Sequence, residues 1–272
     1  MEKAHNRVVV KVGTSTLTYD NGGINIKTID KLCQVLSALR NSGYEIILVS
    51  SGAIAVGVNK MRLSERPQEI RMKQAAAAVG QCELMHLYDK MFSEYGNMVA
   101  QILLTSEDFE ADDKRANLRN TFSALLENGI IPIVNENDSV SHTEIESPKK
   151  LFGDNDTLSA VVAVMCGADK LIVLSDIEGL YDKDPHKYTD AKLINTVDSI
   201  DGDIMSLANG AGTARGTGGM ITKLDAAKLV TSHGIDMYIN LGKYPERLYE
   251  ILSGVDTGTC FKACKNIGND TL

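Results

Sequence analysis

The chain has 272 residues, 43% hydrophobic and 24% charged, the balance of a globular protein that buries a sizeable core and not of a disordered one. A formal net charge of -8, a pI near 5.2, 5% aromatic residues and no tryptophan speak against the basic surface and stacking platforms of a nucleic-acid binder. No uncharged apolar run reaches the roughly 18 residues that a membrane span needs, and the opening MEKAHNRVVVKVG has no apolar signal region, so no membrane contact and a cytoplasmic location are expected.

Short β-branched runs alternate along the chain with longer helical patterns. The strand runs are 8–10, 46–50, 98–104, 130–134, 171–174 and 235–239; the helical patterns are 29–40, 70–92, 121–127 and 158–166, each followed closely by the Gly or Asn that helix C-termini favour. Runs that are apolar at nearly every position belong to a parallel sheet covered on both faces, and the intervening helices supply the crossovers. The expected fold class is therefore α/β, one domain with two lobes and no linker. Residues 105–120, 139–152 and 181–216 are polar or glycine-rich and read as loops over a site. The five cysteines, Cys33, Cys82, Cys166, Cys260 and Cys264, are odd in number and scattered, so they read as reduced thiols, and no metal site is expected of them.

In open α/β sheets ligands sit outside the carboxyl ends of the strands. There this chain carries Lys11-Val12-Gly13-Thr14-Ser15, Ser51-Gly52-Ala53, Asn135-Glu136-Asn137-Asp138 and Ser175-Asp176, and a glycine-rich stretch, 210–219, leads into Met220-Ile221-Thr222-Lys223. Glycines at such turns bring backbone N–H groups close to an anion, and a helix start adds partial positive charge, so the edge suits phosphate. Neither G-x-x-x-x-G-K-[ST] nor G-x-G-x-x-G occurs at these turns, which removes the P-loop and dinucleotide readings. Most lysines are solvated surface groups, but Lys11 and Lys223 both stand beside glycine-rich turns and become candidate phosphate ligands. Phosphoryl transfer asks chiefly for positioning and charge neutralisation, and an ionised carboxylate acceptor needs no general base. None of the histidines, His5, His86, His142, His186 and His233, is assigned a role. Gly153-Asp154-Asn155-Asp156-Thr157 opens the helical run at 158; one residue suffices for an N-cap, so the surplus acids and amide are candidates for binding a ligand or setting the lysines.

These residues resemble the glutamate 5-kinase branch of the amino acid kinase family. The stretches are KVGTSTL (11–17), VSSGAIAVG (49–57), QAAAAVGQ (74–81), VNENDSV (134–140), FGDNDTLSA (152–160), GADKLIVLSDIEGLYDKDP (167–185) and GTGGMITKLDAA (216–227), in the family's order over nearly the whole chain. The resemblance implies a three-layer αβα sandwich with a mainly parallel central sheet, residues 1–272 forming one amino acid kinase domain with an acceptor-binding lobe over about 1–165 and a nucleotide-binding lobe over about 166–272. It implies ATP, Mg²⁺ and L-glutamate as reactants and proline as feedback inhibitor. It also implies a homo-oligomer, dimer or tetramer, and hand-over of the acyl phosphate to glutamyl phosphate reductase.

Carried over by position, Lys11 would contact the transferring phosphoryl oxygens, Lys223 the bridging and leaving oxygens, and Asp156 would orient both. Ser51, Gly52, Asn135, Asp138, Asp154 and Asn155 would hold the acceptor; Gly13, Ser175, Asp176, Thr217, Gly218, Gly219 and Met220 would line the nucleotide site with the lysines. Ser175 stands where many relatives have Thr, and the chain ends soon after residue 261, so the appended RNA-binding-like PUA domain of many bacterial members is not expected. Acetylglutamate kinase, aspartokinase and uridylate kinase are the rival readings within the fold. Gly13-Thr14-Ser15 departs from the paired glycines typical of the first two. The residues taken alone define only a small anionic acceptor, and a non-catalytic amino-acid sensor is the reading from another class.

Overall fold

The first strand decides the layering, because successive side chains of an extended segment leave it on opposite faces. The computed structural model describes residues 6–19, 22–140, 154–185, 187–208 and 219–264. Its elements begin with β1 (Arg7–Val12), α1 (Thr14–Leu17), α2 (Ile26–Asn41), β2 (Glu45–Ser50), α3 (Ala53–Lys60) and α4 (Ile70–Glu94). They continue with β3 (Val99–Leu104), a 3₁₀ turn (Ser106–Phe109), α5 (Asp112–Glu127), β4 (Ile131–Glu136) and α6 (Asn155–Cys166). The last are β5 (Lys170–Ser175), β6 (Thr196–Val197), α7 (Gly202–Ala208), α8 (Met220–Ser232), β7 (Asp236–Leu241), α9 (Arg247–Leu252) and β8 (Thr259–Phe261).

In β1, Val8, Val10 and Val12 enter an apolar cluster with Leu32 and Leu36 of α2, Val56 of α3, Tyr88 and Phe92 of α4 and Leu248 of α9. Val9 enters a second cluster, on the other face, with Phe122 of α5, Val161 of α6 and Leu224 of α8. Helices therefore cover both faces of the sheet, the three-layer αβα arrangement expected. Strand order is β3-β4-β2-β1-β5-β7-β8-β6. Neighbours from β3 to β7 are parallel, β8 runs antiparallel to β7, and β6 pairs parallel with β8. From β1 the chain first builds one side of the sheet through β2, β3 and β4, then crosses to β5 on the other side. That reversal makes β1 and β5 the switch point, where their carboxyl ends open a crevice. Register aligns Val12 with both Ser50 and Leu174, so the residues that follow β1, β2 and β5 emerge along one edge.

The polar stretch 105–120 is not a loop: it holds the 3₁₀ turn and the first half of α5. Its sequence, DDKRANLRN, lies on a helix turned mostly to solvent, so the apolar periodicity that signals a helix is missing until Phe122. Stretch 181–216 likewise contains β6 and α7. Of 139–152, only residues 139 and 140 are among the described ones. Helix α6 begins at Asn155, three residues before its apolar run, which brings Asp156 into the first turn.

The small-residue stretch of α4 serves an internal contact. A Cβ added at Gly80 would lie 1.8 Å from the carbonyl oxygen of Ala53, and one at Gly57 would lie 1.7 Å from that of Ala76, so α3 and α4 touch backbone to backbone. This contact seats the Ser51-Gly52-Ala53 turn against α4. Gly52 itself has φ 97°, a left-handed conformation that glycine adopts without strain. Gly80→Ala is expected to lower stability by about 2 kcal/mol or more through overpacking, read as a lowered urea midpoint with an unchanged slope; a midpoint equal to wild type would show that the helices can separate freely.

Candidate active site

Lys11 is the fifth residue of β1 and leaves the sheet on the Val9 face, towards α6 and α8. The start of α6 is held by its N-cap: Asp154 Oδ1 accepts from the backbone N–H of Asp156 (2.8 Å) and of Thr157 (3.0 Å), and Oδ2 from the Thr157 hydroxyl (3.1 Å). The capped turn directs Asp156 at Lys11 from one side while α8 brings Lys223 from the other. Lys11 Nζ lies 2.6 Å from Asp156 Oδ1, an ion pair by distance at an angle outside hydrogen-bond geometry. Lys223 Nζ donates to Oδ2 at 3.1 Å, and the Thr222 hydroxyl reaches the same oxygen at 2.9 Å and the Gly219 carbonyl at 2.8 Å.

All three charged residues are buried, with exposures of 7% for Lys11, 5% for Lys223 and 1% for Asp156. Burial by itself would raise the Asp156 carboxyl, but the two ammonium groups outweigh it and hold the group down at about 2. Asp156 is thus ionised throughout the physiological range. Two cations on one carboxylate give this trio a net positive charge, which suits an anionic ligand.

A second polar group lies alongside. Asn155 Nδ2 is 3.2 Å from the Ser50 carbonyl oxygen, 2.8 Å from Ser51 Oγ and 3.0 Å from Asn135 Oδ1, and Asn135 Nδ2 donates to Gln81 Oε1 at 2.9 Å. Beyond it opens a cavity of about 390 Å³, lined on its polar side by Gln81, Gln101, Glu136, Asn137, Asp138 and Ser139 and on its apolar side by Ala53, Ala77, Met85 and Leu103 among others. Behind the wall, the Ser50 hydroxyl meets the buried Tyr88 hydroxyl at 2.9 Å and ties the end of β2 to α4.

Of the residues singled out in the sequence, Lys11, Asp156 and Lys223 converge on one point, and Ser51, Gly52, Asn135 and Asn155 gather beside it, with Asp138 in the cavity wall. Asp154 is committed to capping α6. Towards β5, the Ser175 hydroxyl donates to exposed Asp176 at 3.0 Å. Gly13 and Gly219 begin α1 and α8 with φ of -81° and -82°; a Cβ at Gly13 would meet nothing closer than 3.7 Å, and one at Gly219 nothing within 4 Å. The fold does not itself require glycine at either place, and both leave room for a ligand to approach the backbone. The Met220 side chain belongs to the core, so only its backbone can face a ligand. Thr217 and Gly218 lie outside the described residues, as do His5, His142 and His186. All five cysteines are free thiols.

Sequence reasoning passed over Thr222 and Gln81. Thr222 sits beside Lys223 in the quoted MITK and could have been suspected from that adjacency; Gln81, separated from Asn135 by 54 residues, carried no local signal.

An α/β sandwich with paired buried lysines at the switch point of its sheet has the makings of a phosphoryl-transfer protein, and comparison with known proteins gives the class. The sequence profile of the amino acid kinase family matches residues 6–240, and the chain belongs to that family. It is 56% identical over 263 residues to a glutamate 5-kinase of Clostridium perfringens, covering 97% of each chain. It is 54% identical over 258 residues to a glutamate 5-kinase of Clostridium tetani, covering 95% of each. Among solved structures, the carbamate kinase of Giardia lamblia bound to AMP-PNP matches with a TM-score of 0.67 at 15% identity, over 96% of this chain and 99% of that one, a likeness of fold.

Because the folded carboxyl of Asp156 is depressed, its contribution to stability is present above the ordinary carboxyl value of 3.8 and disappears as pH falls through about 2. Asp156→Asn leaves two buried ammonium groups without their counter-ion and is expected to cost about 3–5 kcal/mol near neutrality. In urea titrations the gap between wild type and variant should narrow as pH is lowered from 4 towards 2; a gap independent of pH would contradict the ion-pair account.

Proposed function

We propose that this chain transfers the γ-phosphoryl group of ATP to the side-chain carboxylate of L-glutamate, giving ADP and L-glutamyl 5-phosphate, the first step of proline biosynthesis. The observation that carries this reading is the meeting of the Lys11 and Lys223 ammonium groups on the two oxygens of Asp156, next to an acceptor-sized cavity, in a chain 56% identical to a glutamate 5-kinase. A carboxylate oxygen attacks the γ-phosphorus as the bond to the β-phosphate oxygen breaks. The nucleophile is already ionised, so the site works without a general base. Lys11 neutralises the transferring phosphoryl oxygens, Lys223 the bridging oxygen on which charge accumulates, and Asp156 keeps both nitrogens in place.

The acceptor is held by Ser51, Gly52, Asn135, Asp138 and Asn155, with Asp138 on its ammonium group; Asp154 acts through the cap that sets Asp156. Gly13, Ser175, Asp176, Thr217, Gly218, Gly219 and Met220 receive the nucleotide. Among the described residues no three His, Cys, Asp or Glu side chains converge as a metal site. Mg²⁺, which usually binds through one or two carboxylates, waters and substrate phosphates, fits this arrangement as an ion carried on the nucleotide's phosphates, where it adds neutralising charge. The division into an acceptor lobe over about 1–165 and a nucleotide lobe over about 166–272 follows from the same assignment.

Proline, which shares the ammonium and carboxylate of glutamate, acts as feedback inhibitor at or near the acceptor cavity. The protein works in the cytoplasm as a dimer or tetramer and hands its unstable acyl phosphate to glutamyl phosphate reductase. Among the described residues no helix is long and apolar enough to cross a membrane.

Glutamate-dependent ADP release, with hydroxylamine present to trap the acyl phosphate, tests the reaction; glutamate or proline binding without turnover would instead make the chain an amino-acid sensor. Lys223→Ala is expected to lower kcat on the order of 10²- to 10³-fold with a smaller effect on glutamate binding, since its contact strengthens as charge develops. Turnover near wild type would remove Lys223 from the mechanism. Asp138→Ala should raise the KM for glutamate and leave that for ATP unchanged; an unaltered glutamate KM would place the head group elsewhere.

A further inference from the structure

The orientation of the amide groups beside the acceptor cavity follows from a single backbone carbonyl. A carbonyl oxygen only accepts, so the amide group of Asn155 that stands 3.2 Å from the Ser50 oxygen must be its nitrogen. The same nitrogen faces Asn135 at 3.0 Å, which obliges Asn135 to present its oxygen there. The Asn135 nitrogen is then turned to Gln81 at 2.9 Å, and Gln81 must answer with its oxygen. Three side chains from α6, β4 and α4 are thus set in one sense, and the end of the chain is the Gln81 Nε2 group. Among the described residues that nitrogen has no hydrogen-bond partner, and Gln81 belongs to the cavity wall.

The cavity is lined by two acids, Glu136 and Asp138, and by no lysine or arginine. Acids suit the ammonium of an amino-acid head group; its carboxylate needs donors, and no cation in the wall supplies them. Gln81 offers a neutral donor whose direction is fixed before the ligand arrives, and an amide locked this way loses little freedom on binding.

We infer that Gln81 is a specificity-determining residue whose Nε2 group donates to the α-carboxylate of the acceptor, held in that sense by the chain Ser50 carbonyl, Asn155, Asn135. This rests on the reading of the cavity as the acceptor site. The chain fixes which end of Gln81 faces the ligand, and so favours an α-carboxylate over an α-amide.

Gln81→Glu separates this role from a structural one, because the variant keeps an oxygen for Asn135 and turns the cavity-facing group from a neutral donor into a charged acceptor. The KM for L-glutamate is expected to rise at least about ten- to hundredfold, the worth of one hydrogen bond to a charged group, with repulsion between the new carboxylate and the ligand's acting in the same direction. The KM for ATP and the melting temperature should stay at wild-type values. The α-amide of L-glutamate, which retains the side-chain carboxylate, should bind wild type poorly, and the preference for glutamate over it should shrink about tenfold or more in Gln81→Glu. Calorimetric binding of both ligands to both proteins reads the same preference without turnover, so an inactive wild type would sink the kinase reading and still leave Gln81 tested. An unchanged preference, or a Gln81→Glu variant whose melting temperature and ATP KM move together with its glutamate KM, would overturn the proposal.

Discussion

Everything at the reacting edge depends on one carboxylate shared by two ammonium groups. Asp156 comes from the first turn of α6, Lys11 from the end of β1 and Lys223 from the first turns of α8, so the ion pairs join the central strand to two of the helices that cover one face of the sheet. Burying three charged groups costs desolvation that only close pairing offsets. The pairing also gathers net positive charge at the carboxyl edge of the sheet, and in the proposed reaction that charge meets the phosphoryl group. The Asp154 cap belongs to the same device: by satisfying the N–H groups of Asp156 and Thr157 it fixes the direction in which the Asp156 side chain leaves the helix.

The acceptor side is organised differently, through neutral amides and close backbone contact. Gly57 and Gly80 let α3 and α4 approach until a methyl group would collide with carbonyl oxygens, and this brings Gln81 within reach of Asn135. The Ser50 hydroxyl bound to Tyr88 fixes α4 against β2 from behind. On the proposed reading, charge handles the phosphoryl group and oriented dipoles handle the amino acid. The difference has a physical reason: a third buried cation near Lys11 and Lys223 would compete with them for the carboxylate, whereas an amide donates without adding charge.

Strands β1, β2, β4, β5 and β7 were legible because their apolar runs carry almost no polar interruption. Lys11, Ser51, Asn135 and Ser175 were legible because a polar residue at the end of such a run can only emerge at the carboxyl edge. Helix α5 was legible only in its second half, over 121–127, since its first half faces solvent and shows no apolar period, and the short elements β6, β8, α7 and α9 lie below the length at which a pattern can be counted. The Asp154-Asn155-Asp156 triplet announced more polar groups than one cap needs, yet nothing local said which of them caps and which faces the lysines. The structure divides them into a cap, a neutral donor and a counter-ion.

By itself the sequence determined the α/β class, the phosphate-friendly edge and, through its resemblance over nearly the whole length, the family; these follow from local patterns and from order along the chain. Tertiary structure alone decided that Lys11 and Lys223 meet on opposite oxygens of Asp156, and that the Ser50 carbonyl orients amides from three separate elements. Apart from the Asn155–Asn135 step, 20 positions long, these contacts join residues between 54 and 145 positions apart. Such contacts exist only once the sheet has set its register and the helices have been seated on it.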